Sequence, residues 1–63
     1  MSNIRKIRRS IDMTQQELAD AICVSPSAVS HWERGITHPR VPDLPRLAKV
    51  LGVTIDELLG EEE

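Results

Sequence analysis

The sequence predicts an all-α domain of five short helices, and three observations lead to this prediction. Apolar residues recur at spacings of three and four, which is the period of a helix with one buried face. Residues that start and stop helices punctuate the chain between these runs. No stretch alternates apolar and polar residues as a half-buried strand does. With 63 residues and no Phe or Tyr, the core is expected to consist of Leu, Ile, Val and Ala.

The first helix is predicted over roughly residues 3–11, with Ser2 as its N-cap. One stripe of this helix is apolar, and the basic residues Arg5, Lys6 and Arg9 fall mostly off it, in solvent. The stripe that we expect to be buried consists of Ile4, Ile7 and Ile11.

The second helix is predicted to open at Thr14, because Glu17 three residues later completes a capping box. A turn at Cys23 and Val24 then separates it from the third helix. The residues expected to face inward are Leu18, Ala19 and Ile22.

The third helix begins with a strong signal, since Ser25 can cap it and Pro26 suits its first position. It is expected to run to Arg34 and to stop at Gly35. Val29 and Trp32 would face the core. The opposite stripe carries the polar side chains Ser27, Ser30, His31 and Arg34. Such side chains suit base edges and phosphates in a DNA major groove. Any surface helix is polar outside, and the packed turn before this one is what favours DNA binding.

The remainder of the chain is predicted to support this unit. Residues 36–42 read as an extended loop, and a fourth helix begins near Asp43 or Leu44 and stops at Gly52. A fifth helix ends at Gly60, so residues 1–60 form one domain and the acidic tail 61–63 frays. The residues that the fourth helix is expected to bury are Leu44, Leu47, Ala48 and Leu51. The fifth helix opens with a capping box formed by Thr54 and Glu57. Its apolar residues are Ile55, Leu58 and Leu59.

The net charge of −2 is unevenly divided along the chain. Residues 1–40 carry six basic and four acidic side chains, whereas residues 41–63 carry two basic and six acidic ones. The basic half would face a polyanion, and the acidic half would orient the molecule on it or merely aid solubility.

Several functional classes find no support in the sequence. The single cysteine allows no intramolecular disulfide, and no Cys/His spacing suits zinc, so we expect no metal and a reducing cytoplasm. No apolar run approaches the ~18 residues of a membrane span. Catalytic constellations and phosphate-cradling Gly-rich loops are absent, so no enzyme activity, cofactor or small-molecule ligand is predicted.

The segment TQQELADAICVSPSAVSHWERG, residues 14–35, resembles the helix-turn-helix of the lambdoid phage Cro and repressor family, also called XRE-like regulators. Nearly the whole chain matches, from IRKIRR at the start through the Pro/Arg loop and LAKVLGV to the final DELL. The resemblance implies a compact five-helix lambda-repressor-like domain. It also implies that a homodimer binds a double-stranded, pseudo-palindromic operator through the major groove.

The resemblance further implies roles for individual residues. Gln15 is similar to the glutamine that holds a phosphate and braces the recognition helix, and Gln16 is a weaker phosphate candidate. Arg8 and Glu33 correspond to an ion pair that ties the first helix to the third. The positions that match base-reading ones are Pro26, Ser27, Ala28, Ser30 and His31, and those that match backbone contacts are Arg34, Thr37 and Arg40.

Three alternatives remain open on the sequence. An antitoxin-type protein that masks a toxin and binds DNA secondarily would share the fold, as would a controller of restriction-modification genes. A larger regulator trimmed to its N-terminal domain is another.

The candidates for dimer contacts are Val41, Leu58 and Leu59, which could equally belong to an ordinary core.

Cys23 departs from the resemblance, because the family often has glycine in the turn. A left-handed backbone there would strain a residue other than glycine by about 1 kcal/mol. The thiol reads either as a redox-sensitive group or as a small tolerated residue.

Overall fold

The computed structural model describes residues 3–60, and the all-α prediction is confirmed over that range. None of the helices within it is both long and apolar enough to cross a bilayer. The elements, in chain order, are α1 (Ile4–Ser10), α2 (Gln15–Ile22), α3 (Pro26–Glu33), a 3-10 turn (Val41–Asp43), α4 (Leu44–Leu51) and α5 (Ile55–Leu59).

The predicted caps set the starts of α2, α3 and α5. Thr14 and Glu17 form both hydrogen bonds of a capping box: Oγ1 of Thr14 accepts from the Glu17 N–H at 3.0 Å, and the Thr14 N–H donates to Oε1 of Glu17 at 2.8 Å. The same box precedes α5. At α3, Oγ of Ser25 accepts from the N–H of Ala28 at 3.2 Å. These bonds satisfy N–H groups that a helix start leaves without a partner.

The core lies where α2 and α3 pack together, covered by α1, α4 and α5. Trp32 is 5 % exposed and belongs to this core, so it offers no stacking platform at the surface. The buried cluster consists of Ile4, Leu18, Ala19, Ile22, Val29, Trp32, Leu47, Leu51 and Leu58.

The first helix is shorter than predicted, and the burial expected for Ile11 is wrong. The helix ends at Ser10, Ile11 follows as its C-cap with φ −111°, and Asp12 turns the chain with φ 58°. Ile11 therefore leaves the helical stripe and is 45 % exposed, while Ile7 is half-buried. The N-cap role expected of Ser2 lies outside the described residues.

Asn3, which precedes α1, contributes to tertiary structure, and the sequence did not indicate this role. It occupies the N-cap position of α1 without a side-chain cap hydrogen bond. Its Nδ2 donates instead to the carbonyl oxygens of Glu57 at 2.8 Å and Gly60 at 3.2 Å. The start of the first helix is thus tied to the end of the last one.

The loop before α4 also differs from the prediction, because Val41 to Asp43 form a 3-10 turn where extended chain was expected. Leu44 starts α4 as predicted but is half-buried, since it lies in the first turn at the edge of the core. Gly52 ends the helix in the left-handed conformation, with φ 74°.

The turn between α2 and α3 places Cys23 in the left-handed region, with φ 63° and ψ 45°. The N–H of Val24 returns to the carbonyl oxygen of Ala19 at 2.9 Å, which closes the end of α2. The Cys23 side chain is exposed. Glycine would suit this backbone, and the thiol side chain makes no contribution to the core.

We expect Cys23→Gly to raise the free energy of unfolding by about 0.5–1 kcal/mol. Left-handed backbone costs an L-residue ~1–2 kcal/mol, and the greater flexibility of glycine in the unfolded chain offsets part of the gain. Urea denaturation measures the change. Cys23→Ala is the matched control and should give no such gain, because alanine keeps the strained Cβ. Equal stability of the two variants would show that the left-handed backbone at Cys23 is not strained.

Candidate nucleic-acid interface

The two faces of α3 have opposite characters because of its helical period. Val29 and Trp32 point into the core with Glu33 beside them, all less than a tenth exposed. The other face is open to solvent. A helix anchored along one side in this way presents a rigid polar surface to a partner.

The positions that the sequence predicts to contact DNA bases lie together on that open face of α3, with one partial exception. Pro26, Ser27 and His31 are exposed and Ser30 is half-buried. Ala28 is half-buried and packs against the core, so only part of its methyl surface is available for the base contact expected of it. Ala28 lies one turn before the buried Trp32 and therefore at the edge of the core-facing stripe of α3.

The residues expected to contact the DNA backbone surround α3. Arg34 is its C-cap and is exposed. Gly35 follows with φ 77°, and the N–H of Ile36 returns to the carbonyl oxygen of His31 at 2.9 Å, which closes the end of the helix. Thr37 and Arg40 are exposed in the segment that leads away from it.

Arg8 and Glu33 form the ion pair that the resemblance implied. Nε of Arg8 lies 2.6 Å from Oε2 of Glu33, and Nη2 donates to Oε1 at 3.1 Å, which makes the pair bidentate. Nη1 of Arg8 donates to the carbonyl oxygen of Met13 at 2.6 Å. The two side chains are 11 % and 3 % exposed. A buried pair of this geometry joins α1, the following turn and α3.

Gln15 extends this network to the start of α2. Its Nε2 donates to Oε1 of Glu33 at 3.0 Å, so the carboxylate accepts hydrogen bonds from two helices. Gln16, the weaker candidate, donates instead to Oδ1 of Asp20 at 3.0 Å along the exposed side of α2. Of these two glutamines, Gln15 is the one whose side chain donates a hydrogen bond to α3.

The environment of Glu33 lowers the pKa of its carboxyl group. Burial on its own opposes ionisation, but hydrogen bonds from Arg8 and Gln15 and the positive charges of Arg8 and Arg5 outweigh it. Glu33 is therefore held as a carboxylate. In that state it can only accept hydrogen bonds, which orients Gln15 with its donor toward α3.

The structure separates the three candidate dimer residues. Val41 is 77 % exposed and Leu59 is 52 % exposed, so both present apolar surface to solvent. Leu58 is 1 % exposed and packs in the core, which corrects its candidacy as a dimer contact.

Two arginines that the sequence placed only in solvent also adjoin this face. Arg5 and Arg9 line a groove that also includes Gln15, Ser30 and Arg34. The sequence already placed both arginines off the isoleucine stripe of α1. Only the packing of the helices shows that this side of α1 lies against α3.

The fold and this face can be compared with known proteins. The sequence model of the helix-turn-helix family matches residues 4–58. The chain belongs to this family. The resemblance to the phage Cro and repressor group is confirmed by relatives and by a solved repressor structure.

Curated members of the helix-turn-helix family match nearly all of the chain. It is 40 % identical over 60 residues to the HTH-type transcriptional activator BcrR of Enterococcus faecalis, covering 95 % of this chain and 29 % of that protein. It is 36 % identical over 62 residues to the cryptic phage CTXphi transcriptional repressor RstR of Vibrio cholerae, covering 98 % and 56 %. The chain thus spans about half of RstR and less than a third of BcrR. These relatives are transcriptional regulators and not enzymes.

The fold matches that of a repressor solved on DNA. The P22 c2 repressor protein, in complex with synthetic operator 9T, superposes with a TM-score of 0.88 at 35 % identity, covering 95 % of this chain and 91 % of that one. The lambda-repressor-like fold expected from the resemblance is therefore confirmed.

We expect Glu33→Gln to lower the free energy of unfolding by about 3 kcal/mol, because it leaves the buried Arg8 charge without its counter-charge. Chemical denaturation measures the loss. The double variant Arg8→Met/Glu33→Met removes both charges and should lose less than the two single variants Arg8→Met and Glu33→Met together. Strictly additive losses would show that the pair is not coupled.

The stability should also depend on pH through Glu33. Its folded-state pKa lies below the ordinary value of 4.5, so the stabilisation is complete above about pH 4.5. It is lost as the pH falls through the lower folded-state pKa. Denaturation midpoints between pH 7 and pH 2 should therefore fall more steeply for the wild type than for Glu33→Gln. Parallel profiles would contradict the lowered pKa.

Proposed function

We propose that this chain is a sequence-specific DNA-binding regulator of transcription that inserts α3 into the major groove of an operator. The observation that carries the proposal is the exposed polar face of α3, held rigid from behind by the core and by the Arg8–Glu33–Gln15 network. The likeness to a repressor in complex with an operator supports the same orientation.

Base reading would fall to the exposed side of α3. Ser27 and Ser30 offer hydroxyl groups that donate and accept, and the His31 imidazole can do either. Pro26 offers an apolar surface to a thymine methyl group and no donor. Because no Arg, Asn or Gln stands at the five predicted base-reading positions, these positions cannot make the bidentate contacts that discriminate bases most sharply.

Backbone contacts would set the register of α3 on the duplex. Gln15, Arg34, Thr37 and Arg40 surround α3 with exposed or half-buried donors. The Nε2 group of Gln15 uses one hydrogen on Glu33, which leaves its second N–H for a phosphate oxygen. Contacts of this kind position the protein but carry no sequence information.

Binding as a two-fold dimer is the second part of the proposal. Two α3 helices in successive major grooves require half-sites about one helical turn, ~34 Å, apart, and hence a pseudo-palindromic operator. The exposed Val41 and Leu59 supply apolar surface for such a contact. Single exposed apolar residues are common on monomers, so the assembly needs its own test.

The function is tested by selecting binding sites from random duplexes and then measuring affinity for the selected site against salt concentration. We expect a palindromic consensus and a steep salt dependence. An absence of enrichment, or weak binding that ignores sequence, would refute the proposal.

Variants of the reading face and of the backbone contacts should behave differently. We expect Ser30→Ala and His31→Ala to relax specificity, with a loss of about 1–3 kcal/mol on the selected site and little loss on random DNA. Arg40→Ala should weaken binding to all sequences alike. Competition titrations against both duplexes separate these effects, and uniform losses in all three variants would contradict the assigned roles.

The dimer is tested by Val41→Asp/Leu59→Asp, which places charge on the proposed contact. We expect cooperative binding to the full operator to be lost while binding to an isolated half-site is retained. Sedimentation velocity on DNA gives the stoichiometry. The control Ile11→Asp introduces charge at another exposed apolar position and should leave cooperativity unchanged.

A further inference from the structure

A basic groove lies between α1 and α3, and the arginines on its α1 side have no DNA contact assigned to them above. It has a volume of about 460 Å³, and it is lined on the α1 side by Arg5 and Arg9 and on the α3 side by Ser30 and Arg34, with Gln15 of α2 between them. Three helices therefore converge on one concave, polar surface.

The charges of this groove are not balanced within the domain. Arg8 and Glu33 also border it, but they neutralise each other, and every nitrogen of the Arg8 guanidinium donates a hydrogen bond. Arg5, Arg9 and Arg34 remain exposed. Over residues 3–60 the Arg8–Glu33 pair is the sole salt bridge, and Asp12, which lines an adjoining groove with Arg9, does not pair with it.

The spacing of the two α1 arginines adds to the imbalance. Arg5 and Arg9 are four residues apart, so their side chains are neighbours on one side of the helix. Like charges at this spacing repel each other and destabilise the helix slightly. An anion between them would relieve the repulsion and would receive the planar, multi-donor contacts that guanidinium groups make with phosphate.

We propose that Arg5 and Arg9 bind backbone phosphates of the operator strand that passes between α1 and α3, an inference that rests on the proposed DNA-binding function. Ser30 is a base-reading position, and Gln15 and Arg34 are backbone positions. Ser30, Gln15 and Arg34 share the groove with Arg5 and Arg9. A DNA strand that contacts the first three residues therefore passes next to the two arginines. The interface thus extends beyond the helix-turn-helix to the first helix.

The experiment measures how the affinity for the selected duplex depends on salt concentration. Arg5→Gln/Arg9→Gln should reduce the slope of log affinity against log salt by about 2 per subunit, since each phosphate contact contributes ~0.9. Affinity for the selected and the random duplex should fall by the same factor, because phosphates carry no sequence information.

Two further variants serve as controls. Lys6→Gln/Arg46→Gln removes the same net charge from exposed positions of α1 and α4 outside the groove, and should leave most of the slope in place. Arg5→Lys/Arg9→Lys keeps the charge and should keep the slope. Thermal unfolding of all three variants verifies that they fold.

The proposal is overturned if the glutamine double variant shows the same slope as the Lys6/Arg46 control, or if it loses specificity rather than affinity. Such a result would leave the DNA-binding function intact, since the wild type would still select and bind its site. Failure of the wild type to bind any duplex would overturn both.

Discussion

The buried carboxylate of Glu33 is the constraint on which the rest of the structure depends. It sits at the end of α3 and accepts hydrogen bonds from Arg8 of α1 and from Gln15 of α2. Ion pairs in such positions contribute little net stability when both partners are counted, because desolvation opposes the attraction. Their value lies in geometry, since a bidentate guanidinium–carboxylate pair allows few relative orientations of the helices that carry it.

That geometry links the fold to the proposed function. The core sets the distance between α2 and α3 through Leu18, Ile22 and Val29, all of which are fully or almost fully buried. Apolar packing alone leaves the rotation of an eight-residue helix loosely determined. The network around Glu33 fixes that rotation, so that Ser27 and His31 point outward together. The ionised carboxylate of Glu33 therefore acts together with the hydrophobic core to hold the polar face of α3 in position.

The electrostatic surface follows from the same arrangement. Glu33 neutralises Arg8 inside the domain. The groove between α1 and α3 is therefore lined by three exposed cations, Arg5, Arg9 and Arg34. The acidic residues of α5, Asp56 and Glu57, do not line this groove. A domain with a net negative charge can thus still present a positively charged groove, which would attract a polyanion.

The sequence by itself determined the local structure of this protein. Thr14, Ser25, Thr54 and the glycines at 35 and 52 set helix ends, because caps and left-handed stops act within a few residues of chain. The spacing of Leu18, Ile22 and Val29 likewise predicted the core. The Arg8–Glu33 pair came from the family resemblance and not from spacing. The packing of the helices decided the features that the sequence did not predict. They are the exposure of Ile11, the burial of Leu58, the hydrogen bonds from Asn3 to the end of α5 and the approach of α1 to α3. Those contacts join residues far apart in the chain, and periodicity shows which residues share a helix face but not which helix that face will meet.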